Sequence, residues 1–297
     1  MSNKLRKMTL EKKHNLTGWA FLAPATFLIA VFSFWPMIKA LVLSFQTGKG
    51  RNMQMAGFTN YIRMFQDDVF IQSIKNTFFY FILQVPIMLV VALVLACILN
   101  KKDLRFKGFF RTMIFVPCTT SLVAYSIIFR SLFANNGLVN YVLVNLGILD
   151  KPYNFLTQPF AAKIVIILGL LWRWTGYNMV FFLSGLQNIE YSVYEAAKID
   201  GASAIQTFFK ITVPLLKPTI LLTAIMSTNG TLQLFDESVN LTDGGPANAS
   251  ISMSHYIYNL CFKYVPNFGY AAAMSFFILL LVAVLAFIQM RVGDKRD

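Results

Sequence analysis

Six runs of mostly apolar residues, each about 20 residues long or longer, recur along this chain of 297 residues. A backbone polar group cannot stay unpaired in the hydrocarbon of a bilayer, so a run of this length crosses a membrane as a helix. We predict transmembrane helices over residues 16–44, 78–99, 112–133, 161–186, 215–234 and 270–290. The predicted fold class is therefore all-α: a polytopic membrane protein with about six transmembrane helices.

The composition agrees with a lipid environment, because 57% of the residues are hydrophobic and only 13% are charged. Soluble domains carry about 25% charged residues. The first run continues through Phe34, Trp35 and Pro36, and no cleavage site of small residues follows an isolated apolar core. We therefore expect this run to be retained as a span and not removed as a signal peptide.

The Lys and Arg residues predict the orientation, since they gather in short cytoplasmic loops. Three basic clusters fall on one side of a six-span arrangement: Lys4, Arg6, Lys7, Lys12 and Lys13; Lys101, Lys102, Arg105, Lys107 and Arg111; and Arg291, Lys295 and Arg296. The first loop on the other side also holds Lys49, Arg51 and Arg63, which weakens the contrast. We expect a multi-pass protein of the cell membrane with both termini in the cytoplasm: a cytoplasmic segment over 1–15, a transmembrane domain over 16–290 and a cytoplasmic tail over 291–297. The net charge of +13 sits in these loops, so it predicts contact with anionic lipid headgroups and not with nucleic acid.

The segment between the fourth and fifth predicted spans contains Glu195-Ala196-Ala197-Lys198-Ile199-Asp200-Gly201-Ala202. Residues 191–199 favour a helix, which Gly201 can end in a left-handed conformation, and a second helix can begin near Ser203. An apolar stripe then follows, formed by Ile205, Phe208, Phe209 and Ile211, with Pro214 tolerated at the start of the next span. This elbow (residues 190–214) either binds another protein or rests on lipid headgroups as an amphipathic helix.

This segment resembles the cytoplasmic signature of permease subunits in binding-protein-dependent ABC importers. That signature runs Glu-Ala-Ala, three residues, Gly, nine residues, Ile, one residue, a leucine-like position and Pro. In this chain the signature consists of Glu195-Ala196-Ala197, Gly201, Ile211, Val213 and Pro214, with Val213 where leucine is usual. The segments 182–187, 199–202 and 241–246 resemble the carbohydrate branch and, within it, the MalF-like subunits. The resemblance covers nearly the whole chain from the first span onward.

This resemblance implies that the elbow is a coupling loop, which docks on a cytoplasmic ATPase subunit. Glu195 would make a polar contact to that subunit, and Gly201 would set the angle between the two helices; the full set of implied coupling residues is Glu195, Ala196, Ala197, Asp200, Gly201, Ile211 and Pro214. The other implied partners are a second, MalG-like permease subunit and an extracellular solute-binding protein that delivers a sugar or oligosaccharide. ATP and Mg would be used by the ATPase, and we expect no cofactor on this chain itself.

Polar residues inside spans are costly and usually face a cavity or a partner helix. Near the end of the fifth predicted span, Asn229, Gln233 and Asp236 follow one another at spacings of three or four, with Phe235 close by. In the fourth span, Trp174, Tyr177 and Asn178 share one side. Amides, a carboxylate and aromatic rings suit a sugar, so we predict that these seven residues bind substrate. Hydrogen bonds between helices and anchoring at the membrane interface are the alternatives.

No sequence motif indicates catalysis by the chain itself. There is no phosphate-binding loop of the GxxxxGK[ST] form, and neither paired carboxylates outside the spans nor clustered metal ligands occur. Energy for transport must then come from another chain. A secondary transporter and a non-transporting membrane scaffold are the competing hypotheses, although we find no convincing repeat between the two halves.

Overall fold

The computed structural model describes residues 10–49, 52–101 and 103–293. Helices dominate them, and one short hairpin that the sequence did not predict joins the first two spans. In chain order the helices and strands are α1 (Leu10–Ile29), a π-helical turn (Ala30–Phe34), α2 (Trp35–Ser44), β1 (Gln46–Lys49), β2 (Asn52–Met55), α3 (Thr59–Met64), α4 (Asp68–Asn100), α5 (Lys107–Thr119), α6 (Leu122–Leu132), α7 (Leu138–Asn145), α8 (Pro159–Gln187), α9 (Tyr191–Ile199), α10 (Ala204–Thr207), a π-helical turn (Phe208–Thr212), α11 (Val213–Leu215), α12 (Lys217–Leu232), α13 (Asp236–Thr242), α14 (Met253–Tyr258), a π-helical turn (Asn259–Lys263) and α15 (Phe268–Gly293). The strands β1 and β2 are antiparallel, with Gln46 opposite Met55.

Four of the predicted spans are continuous helices, within His14–Ser44, Asp68–Asn100, Pro159–Gln187 and Phe268–Gly293. The other two are broken: α5 and α6 meet at 99°, and the segment Ala204–Leu215 meets α12 at 70°. The count of about six spans is therefore confirmed when each bent pair is taken as one span. The bend between α5 and α6 falls inside the predicted span 112–133, whereas the other break falls at the beginning of the predicted span 215–234.

A proline lies next to each break, and two threonines support the first one. Pro117 lies in the last turn of α5, and the hydroxyls of Thr119 and Thr120 bond to the carbonyls of Val116 and Pro117, which gives those groups partners at the break. At the second break, Pro218 has no N–H to pair with the carbonyl of residue 214, so a helix cannot run straight through Leu216.

The helix α8 forms the centre of the bundle and packs against α4. Ala92 and Ala96 of α4 are fully buried, and they share an apolar cluster with Met179 and Phe182 of α8. The first helix lies outside this core, since no residue of its most apolar stretch is buried. It continues into α2, which reaches α15 at Gly269, where an added Cβ would lie 3.1 Å from the carbonyl oxygen of Leu43.

Three segments that the charge pattern places on one side lie together at one end of the bundle. The turn after α4, with Lys101 and Asp103, borders the same groove as Tyr194 and Lys198 of α9. The end of α15 reaches this end too, because Gly293 packs against Leu221 near the start of α12. Residues 1–9, 102 and 294–297, and with them most of the predicted terminal segments, lie outside the described residues, and the chain is already helical from Leu10.

Asp67 ties the opposite end together. Its carboxylate caps α4 by accepting hydrogen bonds from the amides of Val69 and Phe70. It also accepts hydrogen bonds from the hydroxyls of Tyr256 at 2.7 Å and Tyr270 at 2.8 Å. Burial by itself raises the pKa of Asp67, but these hydrogen bonds outweigh it and hold that pKa below its usual value. One ionised carboxylate thus links α4, α14 and α15.

Candidate functional site

The elbow after α8 has a well-defined turn. The helix α9 ends at Ile199 with Asp200 as its C-cap, and Gly201 takes a left-handed conformation with φ of 73°. The amide of Ala202 donates to the carbonyl of Ala197 at 2.9 Å and that of Gly201 to Lys198 at 3.2 Å, which is the Schellman arrangement that glycine favours. The left-handed Gly201 that the sequence predicts is therefore confirmed.

The second half of the elbow begins where the sequence predicts it. Ser203 caps α10: its hydroxyl accepts from the amide of Gln206, and the Gln206 side chain accepts from the amide of Ser203 at 2.8 Å. This reciprocal capping box satisfies two amides that the helix itself cannot pair. The turn at Gly201 and the cap at Ser203 together determine how the two short helices meet.

The side chains of the elbow present an exposed surface with both polar and apolar groups. Glu195, Ala196 and Asp200 are exposed, Ala197 is buried, Ile211 is half-buried and Pro214 is exposed. Ile199 is 85% exposed, Ile205 is 72% exposed and Phe209 is 65% exposed. These large apolar side chains face away from the chain's own core, as expected of a surface that another protein or lipid covers.

The predicted apolar stripe is only partly correct. Ile205 and Phe209 point outward, whereas Phe208 packs against the apolar cluster around Phe182. The backbone from Phe208 to Thr212 is π-helical, so the side chains rotate away from the positions of an α-helix. Sequence periodicity assumes α-helical spacing and cannot detect this turn.

A cavity of about 470 Å³ lies half-way along the bundle. It is beside the midpoints of α4 and α8, at the level where α12 stops at Leu232. The lining residues are Gln84, Met88, Leu122, Leu170, Arg173, Trp174, Tyr177, Asn178, Met226, Ser227, Gly230, Thr231, Gln233, Leu234, Phe235, Asp236 and Glu237. The fold thus brings together two predicted groups that are about 50 residues apart in sequence.

Six of the seven predicted substrate residues line this cavity, namely Trp174, Tyr177, Asn178, Gln233, Phe235 and Asp236. Asn229 does not. Its side chain is exposed and accepts a hydrogen bond from Gln233. A spacing of four places these two residues on one helix face, but the residues of α12 that line the cavity are Met226, Ser227, Gly230 and Thr231, followed by Gln233 just after the helix.

The lining also holds polar groups that the sequence analysis left out. Gln84 of α4 is buried and its amide oxygen accepts from the Thr231 hydroxyl at 2.9 Å. A glutamine in the middle of an apolar span is a signal that could have identified it. Asn178 partly serves as a link between helices, because its oxygen accepts from Ser227 of α12, while its amide donates to the Trp174 carbonyl within α8.

Aromatic rings and charged groups both line the cavity. Trp174 and Tyr177 meet edge to face at 5.8 Å between ring centres, and Phe235 packs on Tyr258 at 5.1 Å. Arg173 and Glu237 are both buried. The cavity thus presents ring faces, amides, hydroxyls and carboxylates, which can cover the apolar face of a sugar and bond to its hydroxyls.

The sequence and the fold both match known transport proteins. Residues 67–296 match the model of the family described as binding-protein-dependent transport system inner membrane component. The lactose transport system permease protein LacF of Rhizobium radiobacter is 51% identical over 98% of both chains. The arabinooligosaccharides transport system permease protein AraP of Bacillus subtilis (strain 168) is 31% identical over 93% of this chain and 88% of that protein.

Among solved structures, a chain of a bacterial alginate ABC transporter superposes with a TM-score of 0.84 at 25% identity, over 96% of both chains. That transporter was crystallised with an alginate pentasaccharide-bound periplasmic protein. The family match covers well over half of this chain, and the bundle shares the fold of that structure. The chain belongs to the family of binding-protein-dependent transport system inner membrane components.

Proposed function

We propose that this chain is one permease subunit of an ATP-binding-cassette importer that moves a sugar or oligosaccharide across the cell membrane. The observation that carries this proposal is the cavity beside Trp174 and Gln233, which combines aromatic faces with hydrogen-bonding groups near the middle of the bundle. The relatives support the substrate class, because they are named for lactose and arabinooligosaccharides, and the superposed transporter is named for alginate.

The cavity is open on one side, and this supports a second permease subunit as partner. Met226, Asn229, Gly230 and Gln233 are exposed on the face of α12 beside the cavity. Polar side chains such as Asn229 are costly when they face lipid. A second chain of similar build, placed on this face, would complete the wall of the pathway.

The elbow supports a cytoplasmic ATPase subunit as the other partner. Its exposed surface around Glu195, Ile199, Ile205 and Phe209 offers both a carboxylate and apolar side chains. This end of the bundle also holds the basic turn after α4, which favours the cytoplasmic side, with both termini there. ATP and Mg are then held by the ATPase, and an extracellular binding protein delivers the sugar at the opposite end.

The helix α8 connects the two sites. It passes the cavity at Trp174 and ends at Gln187, only a few residues before α9 begins at Tyr191. A helix transmits movement as a rigid rod when it is packed along its length, and α8 is buried at many positions. Closure of the ATPase on the elbow would therefore move the cavity wall directly.

The test uses the complete complex in lipid, with its ATPase, second permease and binding protein, and with lactose, an arabinooligosaccharide and an alginate oligosaccharide as candidate substrates. We expect one sugar to raise ATP hydrolysis in the native complex. Gly201→Asp should abolish that rise and reduce copurification of the ATPase, because it adds a charged side chain at the exposed turn of the docking surface. Nothing lies within 4 Å of the Cβ position at Gly201, so the new side chain meets no neighbour, and the cost to the chain itself is the backbone strain of a residue other than glycine at φ of 73°.

Gly147→Asp is the matched control. Gly147 follows α7 with φ of 68°, has the same open surroundings and closes the same type of turn, but it lies outside the elbow. If Gly201→Asp and Gly147→Asp complexes hydrolyse ATP alike and retain the ATPase alike, the docking role of the elbow is wrong. If no sugar stimulates the native complex, the importer proposal itself fails.

A further inference from the structure

The broken span α5–α6 is attached to α8 at three levels. Gly169, Arg173 and Gly176 follow one another at spacings of four and three, so they lie on one face of α8. At Gly176, α5 approaches so closely that an added Cβ would lie 1.9 Å from the carbonyl oxygen of Ile114. At Gly169, a Cβ would lie 3.4 Å from the ring of Tyr125 on α6. The two glycines allow the two halves of the broken span to lie against one helix.

Arg173 lies between the two glycines and holds the break itself. Its Nη1 donates to the carbonyl oxygen of Thr120 at 3.0 Å, and Thr120 is the residue that ends α5 at the 99° bend. Carbonyls at the C-terminal end of a helix lack partners within the helix and attract cations. The Arg173 side chain supplies both the hydrogen bond and the charge at this position.

The surroundings of Arg173 keep its side chain in one place. The residue is 7% exposed, and its guanidinium lies 5.3 Å from the ring centre of Tyr125 and 5.4 Å from that of Trp174. Its Nε has no hydrogen-bond partner among the residues that the structure describes. The bond to Thr120 is therefore the main polar restraint that joins α8 to the break.

Arg173 also lines the cavity, together with Leu122, the first residue of α6. The position of α6 relative to α8 thus decides where this part of the cavity wall lies. The helix α8 leads to the elbow, so a movement of the elbow displaces α8. This displacement moves Leu122 in the cavity wall only if the break between α5 and α6 moves together with α8.

We propose that Arg173 is a positioning residue for transport: its bond to Thr120 makes the break between α5 and α6 move with α8, so that the elbow reshapes the cavity. This inference rests on the proposed importer function. It differs from a substrate contact, which would change how much sugar is needed for half-maximal transport. A positioning residue changes the maximal rate.

The experiment measures transport by the complete complex in lipid as a function of sugar-loaded binding protein, for the native chain, Arg173→Lys and Arg173→Gln. A buried charged hydrogen bond is lost in Arg173→Gln, so we expect its maximal rate to fall at least about tenfold, with the half-saturating concentration unchanged. Arg173→Lys keeps a cation that can reach a carbonyl, and it should recover much of the rate. Arg130→Gln, at an exposed arginine of α6, is the control and should transport as the native chain does.

A raised half-saturating concentration at the native maximal rate would show that Arg173 contacts the sugar and would overturn the proposal. Native kinetics in Arg173→Gln would overturn it as well. A native complex that does not transport any tested sugar is a different result, since it contradicts the importer function and not the role of Arg173.

If the Arg173→Gln complex does not assemble, a distance measurement in the otherwise native complex tests whether α6 moves together with α8. Spin labels at Ile128→Cys on α6 and Leu168→Cys on α8, both exposed positions, are introduced after the natural cysteines are replaced by serine. We expect one unchanged α6–α8 distance in the resting and nucleotide-bound states. A distance that changes between these states would show that α6 moves independently of α8.

Discussion

His255 shows how much a single buried residue depends on its neighbours. The side chain is fully buried in α14, with Nδ1 2.9 Å from the Ser238 hydroxyl and Nε2 3.7 Å from the Asp243 carboxylate, which Lys263 also contacts at 2.7 Å. Burial lowers the pKa of His255 to about 4; Asp243 opposes this shift and Lys263 adds to it. The imidazole is therefore neutral at physiological pH and acts as a structural hydrogen-bonding group.

This pKa predicts a pH dependence of stability. The unfolded chain binds a proton near the ordinary histidine value of about 6.5, above the folded value, so the stabilisation is complete above pH 6.5 and is lost as the pH falls toward 4. The loss should reach roughly 3 kcal/mol at the lower limit. Thermal unfolding of the purified complex from pH 8 to 4 measures it.

The replacement His255→Gln should weaken that pH dependence, because glutamine can bond to Ser238 and does not titrate. His14→Gln, at an exposed histidine of α1, is the control and should leave the pH dependence as it is in the native chain. Equal pH dependence in the native and His255→Gln complexes would contradict the assignment to this residue.

At the level of helices, glycines at contact positions determine which pairs can pack closely. At Gly176 the backbone of α5 occupies the space where a Cβ would be, so α5 and α8 touch without intervening side chains. Gly18 in α1 has nothing within 4 Å of its Cβ position. The same residue type thus has a packing role in one helix and none within this chain in the other.

Gly176→Ala should therefore force α5 away from α8 and lower the stability by about 1–3 kcal/mol, as overpacking of a close contact does. Gly18→Ala should leave the stability unchanged or raise it by up to about 1 kcal/mol, because alanine favours the helix. The midpoint of thermal unfolding of each purified complex is the measurement. Equal midpoints for the two variants would show that the α5–α8 contact is not tight.

At the scale of the whole molecule, this chain encloses the cavity only in part. The lining residues come from α4, α6, α8, α12 and α13, while the exposed part of α12 around Asn229 and Gly230 leaves one side open. The second permease subunit that we propose would close this side.

Asn229→Cys, in a chain whose natural cysteines are serine, should react quickly with a water-soluble maleimide when the chain is purified alone. The reaction should slow at least about tenfold when the second permease is coexpressed, because the partner covers this face. Asp150→Cys, in the loop after α7, is the control and should react equally in both samples. Undiminished labelling of Asn229→Cys in the assembled permease pair would place the partner elsewhere.

The sequence by itself determined the features that depend on local chemistry. Apolar runs long enough for a bilayer predicted the number of spans, and the family signature around Glu195 predicted the elbow. Gly201 and Ser203 were found because left-handed turns and helix caps have strong residue preferences. Trp174, Tyr177 and Gln233 were selected because polar and aromatic groups inside spans are uncommon.

Only the tertiary structure decided how these parts meet. The bends after Thr119 and Leu215 and the π-helical turn at Phe208 depend on which carbonyls find partners elsewhere in the fold, and periodicity does not report this. The exposure of Asn229, the burial of Gln84 in the cavity wall and the bond from Arg173 to Thr120 join or separate residues of different helices. Such contacts arise from packing between segments distant in sequence, so no local pattern encodes them.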